Sequence, residues 1–396
     1  MKLIKAGIIY TGKNKKVENG EILIDDKGKI VEVTKNINLK NINENNLNIV
    51  DYSDKVIIPG LIDPHSHIGI WGDGEGPTAY DGNEIPNPIN GNIRSLDAIN
   101  PQQRSFGSAR EGGITTAQII PGSGSPIGGL AVTLKTSGNI VDEMIIKNPS
   151  GLKGALGENP KRAHGKEQNQ SPASRMGNAA LIRNYFQKSR EYGKKKTKAK
   201  KKNENFDLNL NYESGLKVLN NEIPFRIHAH RHDDIVTAVR ISNEFNINFS
   251  IEHCTDGHLI ADYLSEKNIW ASVGPGLGVA SKVETAEMTD KNPAILQQKG
   301  VKVSLMTDHP FLNCRYFMAY GAVVHKYGLS KKETLKLMTS NPAQMLGIDH
   351  KVGSLEKNKD ADYLVLNSEP FSYKTKIEKT FIEDKEVYNR KNVEWL

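Results

Sequence analysis

Two histidines stand one residue apart at the end of an apolar run in the stretch IIPGLIDPHSHIG, residues 57–69. On an extended strand alternate side chains share a face, so His65 and His67 point the same way, about 7 Å apart along the backbone. Two imidazoles in this arrangement can bind one metal ion. Pairs of this kind also occur on solvated strands, but this one follows a buried-type run and precedes a Gly/Pro/Asn-rich segment. Strand ends that lead into such loops are where barrel enzymes place their chemistry.

Four later strand ends carry further residues of metal-ligand type, in GLKGALGENPK, FRIHAHRHDD, FSIEHCTDGH and KVSLMTDHP. A single Glu or His at a strand end is usually a hydrogen-bonded core residue. Five such ends in chain order instead predict one shared site. The candidates are Glu158, His228, His230, His232, His253 and Asp308, together with the first histidine pair.

The middle of the chain alternates strand patterns with helix patterns, which predicts an α/β protein with a parallel sheet. The number of repeats suits a closed (β/α)8 TIM barrel better than an open sheet, and we place it at residues 58–351. Residues 1–57 and 352–396 instead show short strands with alternating apolar positions and Gly, Asn or Asp turns. These two ends are predicted to be a small β-sandwich domain.

The segment PGLIDPHSH resembles the first-strand signature of the amidohydrolase superfamily, and the later strand ends match that superfamily's pattern in order. The resemblance is nearest to the imidazolonepropionase-like and prolidase-like branches. It implies that both chain ends close into one β-sandwich beside the barrel. It also implies a site for two divalent metal ions, expected to be zinc, with ligands His65, His67, Glu158, His228, His253 and Asp308.

Two assignments within this ligand set have alternatives. Many relatives bridge their metals with a carboxylated lysine, and Lys153 lies on the same strand as Glu158, but alternation puts the two on opposite faces, and we favour Glu158. His228 and His230 share a face, so periodicity cannot separate them. The resemblance favours His228 as the ligand and leaves His230 to orient substrate. Arg162 could pair with an acidic substrate group, as could His164 or Arg175.

A mixed His/Glu/Asp set with open positions suits catalysis better than a closed structural site. The expected reaction is hydrolysis of a C–N bond in a small amide or cyclic amide by metal-bound hydroxide, with Asp308 carrying the proton. One alternative is a mononuclear deaminase, but those relatives carry a Glu where this chain has Arg231. Another is a non-catalytic barrel relative, which the complete ligand set disfavours.

The composition limits the remaining function classes. The net charge is +7, and the run KKKTKAKKK, residues 194–202, holds seven lysines. Without this run the net charge of the chain would be 7 − 7 = 0. Without interleaved aromatics or arginines, this run is predicted to be a mobile solvated loop and not a nucleic-acid site. No apolar run is long enough to span a bilayer, and the N-terminus resembles a first strand more than a signal peptide. Two cysteines fit a reducing compartment, so we expect a cytoplasmic enzyme with a small-molecule substrate, either monomeric or a homo-oligomer.

Loops after the strands are expected to recognise the substrate. Residues 72–92 form a candidate lid after the first barrel strand. The segment PGSGSPIGG, after the second, presents backbone N–H groups that could hold a carbonyl or carboxylate, although ordinary turn geometry explains its glycines equally well.

Overall fold

The computed structural model describes residues 1–40, 47–72 and 76–392. Part of the candidate lid, residues 73–75, lies outside them. The described strands form two sheets, one of seven strands and one of eight. No described helix has both the length and the apolar composition needed to cross a membrane.

The seven-stranded sheet joins the two ends of the chain. Its order is β15-β14-β13-β4-β1-β2-β3. Strand β13 pairs antiparallel with β4, which places Val365 opposite Ile57, and both are buried. As expected, both chain ends contribute strands to one sheet separate from the barrel, and these strands are hydrogen-bonded as one continuous sheet. The strands are β1 Lys2–Tyr10, β2 Lys16–Ile24, β3 Ile30–Thr34, β4 Asn48–Pro59, β13 Tyr363–Leu366, β14 Ile377–Ile382 and β15 Lys385–Asn389.

The eight-stranded sheet curls into a nearly closed barrel and confirms the predicted α/β barrel class. Its strands follow in chain order around the barrel. They are β5 Leu61–Ser66, β6 Ile114–Ile119, β7 Ile127–Lys135, β8 Ile145–Ala155, β9 Phe225–Ala229, β10 Phe249–His253, β11 Trp270–Val273 and β12 Lys302–Leu305.

One strand departs from the expected parallel sheet. Strand β7 runs antiparallel to both β6 and β8, while the other neighbouring pairs are parallel. Only residues 120–126 connect β6 to β7. This connection is too short for the crossover of a dozen or more residues that parallel strands need. The segment PGSGSPIGG covers this connection and the start of β7.

The barrel closes through contacts between β5 and the end of β12, which are the two edge strands of the sheet. The backbone N–H of Asp308 donates to the His65 carbonyl at 3.1 Å, and the N–H of His67 donates to the His309 carbonyl at 3.1 Å. The buried Asp63 carboxylate also accepts a hydrogen bond from the Thr307 hydroxyl. The first and last barrel strands therefore meet where their candidate ligands lie.

Helices cover the outside of the barrel, and the longest corrects a prediction. The lysine run is not a loop: it is the last third of a helix, α4, that ends with Asn203 in the left-handed conformation. Lysine and alanine favour helix, and Lys196 pairs with Glu213 of the next helix at 2.5 Å. Gly193 lies inside this helix, where an added Cβ would come within 2.5 Å of Leu216. The helices are α1 Arg104–Glu111, α2 Val141–Met144, α3 Glu158–Pro160, α4 Arg175–Lys202, α5 Leu210–Leu219, α6 His232–Phe245, α7 Ala261–Glu266, α8 Asn292–Gln298, α9 Phe317–His325, α10 Lys331–Leu337 and α11 Ser340–Leu346.

Candidate active site

Buried polar side chains collect at the carboxyl end of the barrel. Parallel strands direct their carboxyl ends to one rim, so residues far apart in the sequence meet there. All of the candidates in the following list are less than a tenth exposed. They are His65, His67, His228, His230, His253 and Asp308.

One group of possible ligands surrounds Asp308. Its Oδ1 lies 3.4 Å from His65 Nε2 and 3.2 Å from His67 Nε2. Ligand atoms of His65, His253 and Asp308 lie within 4.8 Å of one another. Burial disfavours the charge on Asp308, but the nearby His253, His65 and His67 outweigh burial and hold its pKa well below the usual value. The group therefore presents a carboxylate among imidazoles.

A second group consists of three histidines. Ligand atoms of His228, His230 and His253 lie within 4.8 Å of one another. Burial lowers the pKa of His228 and His253 well below the usual value and that of His230 to about 3. Neutral imidazole is the form that binds metal. The structure thus brings both His228 and His230, at the end of β9, to the site.

Hydrogen bonds behind the rings orient three of these histidines. His67 Nδ1 donates to the Ile120 carbonyl at 2.7 Å, and His253 Nδ1 donates to the Gly274 carbonyl at 3.0 Å. His65 Nδ1 lies 2.8 Å from Glu252 Oε2. Such partners fix the ring and leave Nε2 with its lone pair directed at the site.

Glu252 belongs to a buried charged chain that the sequence reasoning missed. Arg226, fully buried inside the barrel, places Nε 2.9 Å from Glu252 Oε1, and Ser250 Oγ donates to the same oxygen at 2.6 Å. Burial raises the pKa of Glu252, but Arg226 and His65 outweigh burial and lower it to about 2. An Arg and a Glu within short apolar strands were the signal that could have revealed this pair.

The structure brings Lys153, and not Glu158, to the ligand groups. Lys153 is fully buried with Nζ 3.3 Å from His65 Nε2, and burial lowers its pKa to about 8. Strand β8 ends at Ala155, so Glu158 lies beyond it as the first residue of α3. Among the described residues its carboxylate joins neither group. Strand alternation does not relate the two residues, because Glu158 is not part of β8, and the geometry favours the lysine as the inward one.

The other substrate-binding candidates have partners outside the two ligand groups, although Arg175 also lies 4.0 Å from the buried Glu284. Arg162 is half exposed, with Nε 3.5 Å from Glu167. His164 is buried against Ser125 at 3.2 Å, and Arg175 pairs with Asp234 at 3.0 Å.

Glu284, in the loop after β11, is a carboxylate that the sequence reasoning missed. It is fully buried, and its Oε1 lies 3.8 Å from Nε2 of both His228 and His230 and 2.7 Å from Lys282 Nζ. Its Oε2 accepts the Glu158 backbone N–H at 2.7 Å. No strand or helix pattern surrounds Glu284 in the sequence, so no signal pointed to it.

The donor set fits a divalent metal ion. Imidazole nitrogen and carboxylate oxygen are the ligands that zinc and similar ions prefer. Burial lowers the pKa of His67, His228, His230 and His253, which favours their neutral, metal-binding form. His228 Nδ1 is buried and has no hydrogen-bond partner among the described residues. A buried nitrogen without a partner is costly unless something binds it.

Several known proteins resemble this chain over most of its length. The amidohydrolase family matches residues 216–391. The crystal structure of an amidohydrolase from Thermotoga maritima is 39% identical, with a TM-score of 0.94 over 98% of this chain and 100% of that one. An amidohydrolase of Hapsidospora irregularis, tasK, is 25% identical over 89% of this chain, which spans 38% of that relative's length. A Xaa-Pro dipeptidase structure shares the fold at 16% identity, with a TM-score of 0.59 over 98% of this chain and 99% of that one. The chain therefore belongs to the amidohydrolase family, the hydrolases that act on carbon–nitrogen bonds.

Proposed function

We propose that this protein hydrolyses the amide or cyclic amide bond of a small molecule with two zinc-like ions. The observation that carries the proposal is the pair of adjacent buried ligand groups that share His253. His65, His67 and Asp308 would hold one ion, and His228 and His253 the other. A structural metal needs one closed set of four ligands, whereas two incomplete sets leave positions for water and substrate.

Lys153 would complete both sets as a carbamate. Its neutral amine would add to the carbon of CO2: an N–C bond forms, one C=O π bond becomes a C–O− bond, and the nitrogen loses a proton to water. The product carries one negative charge shared by two oxygens, which would replace the amine at the site. Burial favours the neutral amine that this addition needs. Lys153 therefore takes the bridging place that the sequence reasoning gave to Glu158.

Asp308 is proposed as the proton carrier. Bound divalent metal supplies a nucleophile at neutral pH by lowering the pKa of water, and it polarises the substrate carbonyl. Asp308, ionised and at the centre of the first group, would accept the proton of the attacking water and pass it to the leaving nitrogen. His230 would orient the substrate from the neighbouring strand end.

Arg231 argues against a mononuclear deaminase, from which the number of metal ions also separates this proposal. Arg231 stands three residues after His228, and its guanidinium pairs with Asp233 at 2.9 Å. It therefore offers no acid at the position where those relatives carry a Glu.

The test is metal analysis followed by an activity screen. We expect about two zinc-like ions per chain after reconstitution, and turnover of at least one compound among dipeptides, N-acyl amino acids, lactams and hydantoins. One ion per chain, with ammonia released from aminated heterocycles and no amide cleaved, would support the deaminase instead.

A further inference from the structure

Three aromatic side chains form a wall beside the candidate metal ligands. The Trp71 ring lies 5.1 Å from the His67 ring, 5.9 Å from the Phe311 ring and 6.0 Å from the Tyr80 ring, measured between centroids. Trp71 and Tyr80 come from the loop after β5, and Phe311 comes from the loop after β12. The wall therefore runs from a proposed ligand outward to solvent.

The loop after β5 is built to hold the indole in place. Residues 70–72 pair with residues 79–81: Gly72 N–H donates to the Ala79 carbonyl at 2.8 Å, and Asp81 N–H donates to the Ile70 carbonyl at 2.9 Å. An added Cβ at Gly82 would come within 2.7 Å of the Trp71 ring, so only glycine allows this approach. The indole position is thus fixed by backbone contacts.

Phe311 leaves a large apolar surface in contact with water. It is 65% exposed, and Tyr80 is 50% exposed, whereas the next residue, Leu312, is buried in the core. Phe311 is the one phenylalanine this exposed in the part of the chain that the structure describes. Its backbone N–H donates to the Asp308 carbonyl at 2.9 Å in a tight turn, which fixes its backbone next to that of the proposed proton carrier. Exposed apolar surface beside a polar site is typical of ligand recognition.

We propose that Trp71, Phe311 and Tyr80 recognise an aromatic or large apolar substituent next to the scissile amide. The proposal rests on the proposed function and names its substrate class. A phenyl ring seated on the wall would contact three aromatic faces and edges while its amide lies beside His67 and Asp308. The same contact would exclude water from one side of the reaction centre.

The experiment uses two matched substrate pairs and the zinc-loaded full-length protein. The pairs are N-acetylphenylalanine with N-acetylalanine, and N-phenylacetylglycine with N-acetylglycine, so that the ring lies on either side of the amide. We expect kcat/KM to favour the phenyl member of at least one pair by about tenfold or more, as apolar pockets do. Phe311→Ala should reduce that ratio by roughly five- to tenfold. The control, Tyr373→Ala, removes a fully exposed aromatic residue from the connection between β13 and β14 and should leave the ratio unchanged.

Binding of the same compounds to the zinc-loaded Asp308→Asn variant, measured by calorimetry, separates this proposal from the proposed function. If the wild type cleaves no amide, the hydrolytic proposal fails. The wall is still supported if the phenyl compounds bind more tightly than their partners without the ring and lose that advantage in Asp308→Asn/Phe311→Ala. A ratio of kcat/KM between the phenyl member and its partner that lies within about twofold of one in both pairs would overturn the wall while the hydrolytic activity stands. A ratio that Phe311→Ala does not change would also overturn it. Absence of both turnover and phenyl-selective binding would also overturn it.

Discussion

Replacing Glu252 by Gln should destabilise the protein and weaken metal binding together. The substitution keeps the size of the side chain but removes the charge that lies between Arg226 and His65. Arg226 would then be a fully buried cation without its counterion. Removing one partner of a buried pair typically costs about 3–5 kcal/mol.

The pKa of Glu252 gives a similar magnitude. Burial raises it, but Arg226 and His65 lower it from 4.5 to about 2. This difference corresponds to about 3 kcal/mol, because a tenfold change in proton affinity is worth about 1.36 kcal/mol. The pKa of Glu252 is lower in the folded state than in the unfolded state. The stabilisation is therefore complete at a pH above the unfolded-state pKa and is lost as the pH falls through the folded-state pKa. Half of it should be gone near pH ~3.2, midway between the two.

Urea unfolding at pH 7 measures the stability loss, and calorimetric zinc titration of metal-free protein measures the affinity. We expect a loss of about 3 kcal/mol and zinc binding roughly 10–100-fold weaker. Glu244→Gln is the control, because it removes a carboxylate from a half-exposed pair with Arg183 and should cost at most about 1 kcal/mol. A Glu252→Gln variant as stable as this control, with unchanged zinc affinity, would refute the role assigned to the buried chain.

Three further predictions concern the site and the barrel. Asp308→Asn should retain metal but lower kcat by roughly 10²–10⁴-fold, and substantial residual turnover would argue against proton transfer by Asp308. Metal-free protein given zinc should regain more activity with bicarbonate than in CO2-depleted buffer, and Lys153→Ala should abolish that difference; equal recovery in both buffers contradicts the carbamate. Thr307→Val should lower the free energy of unfolding, measured with urea, by about 2 kcal/mol, because it removes a hydrogen bond to the buried Asp63 carboxylate. The control Thr237→Val, on the surface of α6, should lower it by less than ~0.5 kcal/mol.

The rim positions of most of the candidate ligands could be predicted because they depend on local patterns. A short apolar strand that ends in a polar residue predicts a side chain at the carboxyl rim, and this describes His65, His228, His253 and Asp308. Alternation then places His67 on the same face as His65. None of these inferences requires knowledge of a distant contact.

The choice between Lys153 and Glu158 could not be made in the same way. Alternation predicts that they face apart if both lie on the strand, but it does not say which one faces inward. That depends on where β8 ends, and it ends at Ala155, two residues before the chain turns into α3. Gly157 makes that turn with a φ of +82°. A glycine that permits a left-handed turn can end a strand, but nothing nearby in the sequence says that it does.

The lysine run shows how context overrides local charge. The lysines of residues 194–202 repel one another, which suggested a loop. Lysine is nevertheless an adequate helix former, and the helix begins nineteen residues before this run, at Arg175. A helix already nucleated extends at little cost. Packing of Gly193 against Leu216 further holds this part of α4 on α5. The buried Arg226 and Glu252 escaped prediction for the opposite reason, since only the register of β9 and β10 brings them together.

Closure of the barrel and placement of the metal ligands depend on the same hydrogen bonds. The Asp308 N–H binds the His65 carbonyl, and Thr307, one residue earlier, binds Asp63, two residues before His65. If the Asp63–Thr307 contact weakens, the ends of β5 and β12 can separate, and Asp308 then moves away from His65 and His67. Zinc affinity should therefore fall together with stability in Thr307→Val, even though neither Thr307 nor Asp63 is a proposed ligand. A loss of stability with unchanged zinc affinity would mean that the ligands are positioned independently of barrel closure.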